Sequence, residues 1–247
     1  MDLFKRYVIL IVVCFLSFVS LLLSHPTVSA AHQMMPTSLV EKFLDGKAGT
    51  WYDEDGNKVL TITGTAINGC PVVRGYDFAG KIAEGYIVIR EQDGERVLKL
   101  NTVGSGNKFL ALDDKVVMQR SVHPMYSDSV MGIYLGISKK KTVQKLGAPD
   151  QTYPYWSGEC FVYRKYGMNI EFLHNMAVRI TLQRGYPWKL DNSGLSCEHP
   201  ISSYQQVYHF NKTPYAGQSG GFAFGTDSEY MWFDKYPQEL VLDVYNN

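Results

Sequence analysis

Between residues 49 and 120 apolar and polar side chains alternate with a period of two. The alternation is broken at short intervals by Asp55-Gly56, Asn68-Gly69, Asp93-Gly94 and Asp113-Asp114. A period of two sends successive side chains to opposite faces of an extended chain, and Asn-Gly or Asp-Gly pairs supply the left-handed residues that tight hairpins need. The runs 58–63, 85–90, 96–102, 109–112 and 116–120 are therefore expected as strands of antiparallel hairpins, curled into a small barrel or packed as a sandwich. Ahead of them, Leu39, Val40, Phe43 and Leu44 fall at helical spacing, with Thr37 or Ser38 placed to cap a short helix and Gly46 to end it. Residues 37–120 read as a β-rich domain with one short N-terminal helix.

Residues 1–30 have the form of a signal peptide. Lys5 and Arg6 precede an apolar run over 7–23, and Val28-Ser29-Ala30 places small residues where a signal peptidase cleaves. Pro26 ends the apolar helix, so cleavage after Ala30 is expected. The run comes near the ~20 residues that span a bilayer, and an uncleaved segment is the one membrane attachment to consider. Cys14 sits in the middle of the run, after Val13, where a lipidation site does not fall. The expected location is extracytoplasmic: secreted, periplasmic or in the cell envelope.

Removing this leader leaves 217 residues, room for two β-rich domains, and one net negative charge, since Lys5, Arg6 and Asp2 go with it. Nucleic-acid binding rests on clustered Lys and Arg neutralising phosphate. The one cluster here, Lys139-Lys140-Lys141, reads as the solvated face of a short helix. Cys70, Cys160 and Cys197 remain, and an oxidising compartment favours one disulfide among them. Loop-closure entropy, roughly 4–5 kcal/mol for each pairing, does not choose between them. Cys160 with Cys197 is preferred because both lie in the second half.

Small polar residues around His123-Pro124 mark a linker over 121–129, and residues 130–247 form a second domain. It opens with Gly132-Ile133-Tyr134-Leu135-Gly136-Ile137-Ser138. Ser138 caps a helix that Val143 and Leu146 anchor to a core and that Gly147 and Pro149 end. Strands follow, with Phe161, then Met168, Ile170 and Phe172, then Val178, Ile180 and Leu182 on alternating positions. Residues 202–210 read as a helix, and 230–233 and 240–245 as closing strands. The fold class is α+β and mostly antiparallel β.

The Gly-x-x-x-Gly-Ile-Ser lead, the short helix, Leu146-Gly147-Ala148-Pro149-Asp150, and strands ending in Ala177-Val178-Arg179-Ile180 resemble the BamE (SmpA/OmlA) group of envelope lipoproteins over about 50 residues. The resemblance implies a helix-plus-antiparallel-sheet module that presents a surface to other envelope proteins. That group is lipidated close to the module and this chain is not, so its role in outer-membrane assembly is not carried over. Gly49-Thr50-Trp51 is similar to the opening of lipocalins, but the runs counted above are too few for an eight-stranded barrel and its ligand cavity.

No catalytic, metal or cofactor set is complete. Gly217-Gln218-Ser219-Gly220-Gly221 has the letters of a nucleophile elbow, yet no histidine follows Ser219, so it reads as a glycine hairpin. Asp53-Glu54-Asp55-Gly56-Asn57 places Trp51 and Lys58 at ligand positions of a calcium loop and reads as a turn. Cys197, His199 and His209 lack metal-site spacing, and Asp227 with Glu229 reads as a polar strand start rather than a hydrolytic pair. Aromatic residues are the positive signal: seventeen Tyr and four Trp, with Tyr153, Tyr155 and Trp156 in one group and Tyr230, Trp232 and Tyr236 in another. Tyr and Trp offer a flat apolar body with a polar tip, suited to gripping a protein or stacking on a sugar. The expected function is a non-catalytic module binding another envelope or extracellular protein. A carbohydrate or cell-wall ligand, or weak glycan hydrolysis, is the alternative.

Overall fold

The structure, a computed structural model, describes residues 32–104, 108–120, 128–156, 158–208, 215–216, 222–225, 230–234 and 239–244; for 201, 215–216, 222–225 and 230–234 it describes the backbone alone. The signal expected over 1–30 and most of the linker expected over 121–129 lie outside these residues. Gln33–Asn247 forms one compact unit. It is mostly antiparallel β, with three helices among the described residues, none long and apolar enough to cross a membrane.

Eight strands make a closed barrel: β1 (Gly49–Asp53), β2 (Lys58–Ile62), β3 (Ala66–Ile67), β4 (Cys70–Ala79), β5 (Glu84–Glu91), β6 (Gly94–Val103), β7 (Phe109–Leu112) and β8 (Val116–Gln119). Each pairs antiparallel with the next, and Tyr52–Gln119 and Asp53–Met118 pair β1 with β8. The strand count read from sequence was too low. β3 is two residues long and β4 exposes neighbouring residues such as Val73 and Arg74, so neither carries a clean alternation.

Helix α1 (Thr37–Asp45) packs Val40, Phe43 and Leu44 into the barrel core with Trp51, Leu60, Ile62, Ile67, Ile87, Ile89, Leu98, Leu100, Leu110, Leu112 and Met118. Its start differs from expectation: the Pro36 carbonyl accepts the first N–H bonds, from Leu39 and Val40, and no side chain caps it. Phe43 stacks on Phe78 at 4.2 Å between centroids. Gly85 makes room for that pair, since a Cβ there would lie 2.3 Å from the Phe78 ring.

The second layer is an eight-stranded sheet in the order β13-β14-β15-β16-β12-β11-β10-β9. Its strands are β9 (Gln151–Tyr155), β10 (Gly158–Tyr163), β11 (Met168–Leu173), β12 (Met176–Gln183), β13 (Tyr215–Ala216), β14 (Phe222–Gly225), β15 (Tyr230–Asp234) and β16 (Glu239–Asp243). One face carries Phe161, Met168, Ile170, Phe172, Val178, Ile180, Leu182, Leu240 and Leu242 into a second core with Tyr204 of α3 (Ile201–Tyr208). Val103, Phe109 and Val117 on the outer wall of the barrel join that core. Strand β7 is thus buried on both faces, which is why Phe109–Leu112 is an unbroken apolar run.

Gly136, the second glycine of the Gly-x-x-x-Gly lead, adopts φ 94°, and a Cβ on it would meet the Phe109 ring at 2.6 Å. The helix that follows, α2 (Lys139–Leu146), is capped by Ser138, whose hydroxyl accepts from the Lys141 N–H at 3.2 Å. Glu54 in the β1–β2 turn holds the same residue, accepting from its hydroxyl at 2.7 Å and its N–H at 3.1 Å. Lys141 pairs with Asp55 at 2.6 Å and Lys139 with Glu159, so two of the three lysines dock the helix instead of facing solvent alone. Val143 is exposed; Thr142 is the buried side chain of this helix, donating to the Ser138 carbonyl at 2.9 Å.

Candidate functional site

The second face of the sheet holds the residues of interest. Strand pairing aligns Gly225, Tyr230, Asp243, Arg179, Glu171, Cys160 and Tyr153 in one row across seven strands. The next row runs through Tyr215, Ala223, Trp232, Val241, Thr181, Asn169, Val162 and Gln151. These positions are out of phase with the core-facing ones, so the period-two pattern that builds the core also sets this face.

At the centre of the first row Arg179 bridges two acids. Its Nη2 lies 2.6 Å from Asp243, its Nε donates to the same oxygen at 2.8 Å, and its Nη1 lies 3.5 Å from Glu171. Nη1 also donates to the Tyr155 hydroxyl at 2.9 Å. Asp243 is buried, and burial pushes the Glu171 carboxyl above its ordinary range while Arg179 opposes the shift. One guanidinium serves two carboxylates, and the shared contacts hold the group together, since removing Arg179 would leave both buried acids without it. Sequence reading missed Glu171, Arg179 and Asp243. Their signal was a charged residue at an out-of-phase position on each of three apolar strands.

Tyr153 and Tyr155 stand on β9, an edge strand that pairs on one side only among the described residues. Pro154 sits between them, and a proline without an N–H blunts an edge against strand addition. The Tyr153 hydroxyl is pushed up to about 12, first by its hydrogen bond with Cys160 and then by burial. Trp156, directly after β9, is 91% exposed and stacks beside Tyr155 with centroids 6.0 Å apart. Its backbone is left-handed at φ 48°, an uncommon conformation for a bulky residue. Gly158 lets β10 lie close against β11: a Cβ there would lie 1.8 Å from the Phe172 carbonyl oxygen.

The aromatic residues chosen from sequence form two sets. Tyr153, Tyr155 and Trp156 are together. Tyr230 shares the row of Tyr153 and Trp232 that of Gln151, but both are on β15, five strands away, about 24 Å at ordinary strand spacing. Tyr236, like Ser219, His209, Asp227 and Glu229, lies outside the described residues.

The disulfide expectation is corrected: Cys70, Cys160 and Cys197 are free thiols. Cys160 belongs to the second face of the sheet, whereas Cys197 packs against the core on the first, its thiol beside the Leu182 carbonyl at 3.7 Å. The sheet separates them, and Cys70 packs against the barrel core. Asp53 spends its carboxylate on the N–H groups of Asp55 and Asn57, as an Asx turn does, and His199 accepts from the Ser196 N–H at 3.1 Å.

The barrel interior is filled by side chains, as eight strands allow. A cleft at the edge of α1, lined by Met35, Thr37, Glu41, Val72 and Arg74, holds about 130 Å³, below the roughly 300 Å³ at which small-molecule sites begin. The chain matches no protein-family model, no curated protein and no solved structure.

Proposed function

We propose that the protein is an exported, non-catalytic binding module that grips another protein of the cell envelope through the Tyr153–Tyr155–Trp156 end of its sheet. One observation carries this reading: a tryptophan 91% exposed on a left-handed backbone at the tip of a hairpin. Leaving an indole in water and holding it at φ > 0 are both unfavourable for the free protein, and both are offset when a partner covers the ring. The filled barrel suits a scaffold that positions the sheet. The signal-like leader supports the location, and the resemblance of the second half to BamE-type modules supports the class of partner.

Trp156→Gly tests it, because glycine suits the backbone while removing the ring. Cross-linking in envelope extracts should give one partner adduct with the native protein and none with the variant. Identical adducts from both would refute the reading. Glycan binding is the second reading, favoured by the Glu171 and Asp243 carboxylates beside Tyr155. Retention on purified cell-wall glycan that Tyr155→Ala abolishes would select it instead.

A further inference from the structure

Several aromatic rings of this protein carry a basic side chain over one face. Among the described residues Lys47 lies 3.5 Å from the ring centre of Phe43, Arg120 4.3 Å from that of Trp51, Lys165 5.3 Å from that of Tyr166 and Lys139 6.0 Å from that of Phe172. None lies over Trp156, although indole offers a cation the strongest π face and this one stands in solvent. The Tyr155 ring continues the surface, 23° from parallel to the indole. Its hydroxyl accepts from Nη1 of Arg179 at 2.9 Å, so Tyr155 is held in place before any partner arrives.

The charges behind this surface come from the neighbouring strands. Arg179 on β12 gives Nε and Nη2 to Asp243 and reaches Glu171 of β11 with Nη1 alone, at 3.5 Å. That contact is the one ion pair of Glu171 among the described residues. Glu159, on the core side of β10, has its own cation in Lys139. A partner lying over Trp156 and Tyr155 takes water from the loosely paired Glu171 carboxylate. An apolar or acidic partner would leave that charge without compensation, whereas a cation offsets it. Guanidinium suits the place better than ammonium, because it is planar and weakly hydrated and can lie flat on an indole.

We infer that the Trp156–Tyr155 surface receives an arginine side chain of the partner protein, with its guanidinium flat on the indole and its charge toward Glu171. This rests on the protein-binding reading above and names the chemistry that the partner must present.

NMR of the purified protein reads the site directly, with N-acetyl-arginine amide as the probe and the lysine and glutamine amides as controls at matched ionic strength. The Trp156 indole N–H signal should move about twofold to fivefold more with arginine than with lysine, the range of one exposed cation–π contact, and hardly at all with glutamine. The indoles of Trp51 and Trp188, buried and bonded to the Lys47 and Gln183 carbonyls, should stay still. Glu171→Gln should reduce the Trp156 response to arginine by a similar factor. Equal responses to the three probes, or a response indifferent to that substitution, would overturn the inference. If the variant fails to fold, the three probes on the native protein decide it alone.

Photo-cross-linking in envelope extracts separates this inference from the reading beneath it. Blocking the arginines of the extract with phenylglyoxal should abolish the adduct, and acetylating its lysines should not. An adduct that survives arginine blocking would overturn the arginine receptor and leave the binding module standing. No adduct from untreated extract would remove both.

Discussion

The guanidinium of Arg120 lies over the indole of Trp51, 4.3 Å from the ring centre, and donates to the carbonyls of Ala48 and Gly46 at 2.5 and 3.2 Å. Trp51 belongs to the first barrel strand and Arg120 follows the last, so this contact sits at the seam where two residue pairs close the cylinder. Trp51 is itself tied at the indole N–H, which donates to the Lys47 carbonyl at 2.8 Å. Arg120→Ala removes a partly desolvated cation–π contact and two hydrogen bonds, and is expected to lower stability by about 2 kcal/mol in urea unfolding. Arg120→Lys, which keeps the charge and loses the planar fork, should recover about half of that. Equal stability of all three proteins would show that the seam does not depend on this residue.

Lys47 gives the protein a pH dependence on the alkaline side. Its ammonium is buried 3.5 Å from the centre of the Phe43 ring and donates to the Ile82 carbonyl at 2.9 Å, and burial lowers its pKa to about 7. Between pH 7 and about 10.4 the unfolded chain holds a proton that the native state has released, so stability rises with pH across that window. It levels off above the window and is lowest below it. The slope should approach 1.4 kcal/mol per pH unit at most. Lys47→Met should flatten the slope and stabilise the protein at pH 7; an unchanged slope in thermal melts would count against the assignment.

Glu54→Ala should loosen α2 before anything else. Glu54 accepts both polar hydrogens of Ser138, the residue that caps the helix. The loss is expected at about 1–2 kcal/mol, the range for a helix cap. Faster amide exchange confined to Lys141–Leu146 would bear this out, and uniform acceleration across the protein would not.

Trp156→Gly should leave the fold as stable as before or stabilise it by about 1 kcal/mol, because the left-handed backbone no longer carries a Cβ. A loss of stability would mean that the indole packs on the protein's own surface. Gly158→Ala, two residues on, should be the opposite case, since its Cβ would strike the Phe172 carbonyl. Denaturant midpoints of the two variants should move apart.

Alkylation under denaturing, non-reducing conditions should label Cys70, Cys160 and Cys197 together. In the native protein Cys160 and Cys197 should react slowly, because burial raises both thiols, that of Cys197 to about 12. A disulfide-linked peptide joining Cys160 to Cys197 would mean that the sheet does not separate them.

Much of this fold is written locally. The period of two between residues 49 and 120, the cap at Ser138, the stop at Gly147, and the alternation through Met168, Ile170 and Phe172 all report which way a side chain must point. That information is carried by residues a few positions apart. The aromatic group at 153–156 was legible for the same reason, since three large residues around a proline have little local core to enter, and the structure sets two of them on the edge strand β9 and the third just beyond it.

What the sequence determined by itself was therefore strand, turn and cap, and the division into outward and inward positions. The tertiary structure decided what lies opposite each face: β1 against β8, β12 against β16, Phe109 against Gly136, Glu54 against Ser138, and Cys160 and Cys197 on opposite sides of one sheet. These pairings join residues tens of positions apart through many weak contacts, none of which leaves a mark within a short window of sequence. Periodicity states that a face is buried, and only the closed chain states by what.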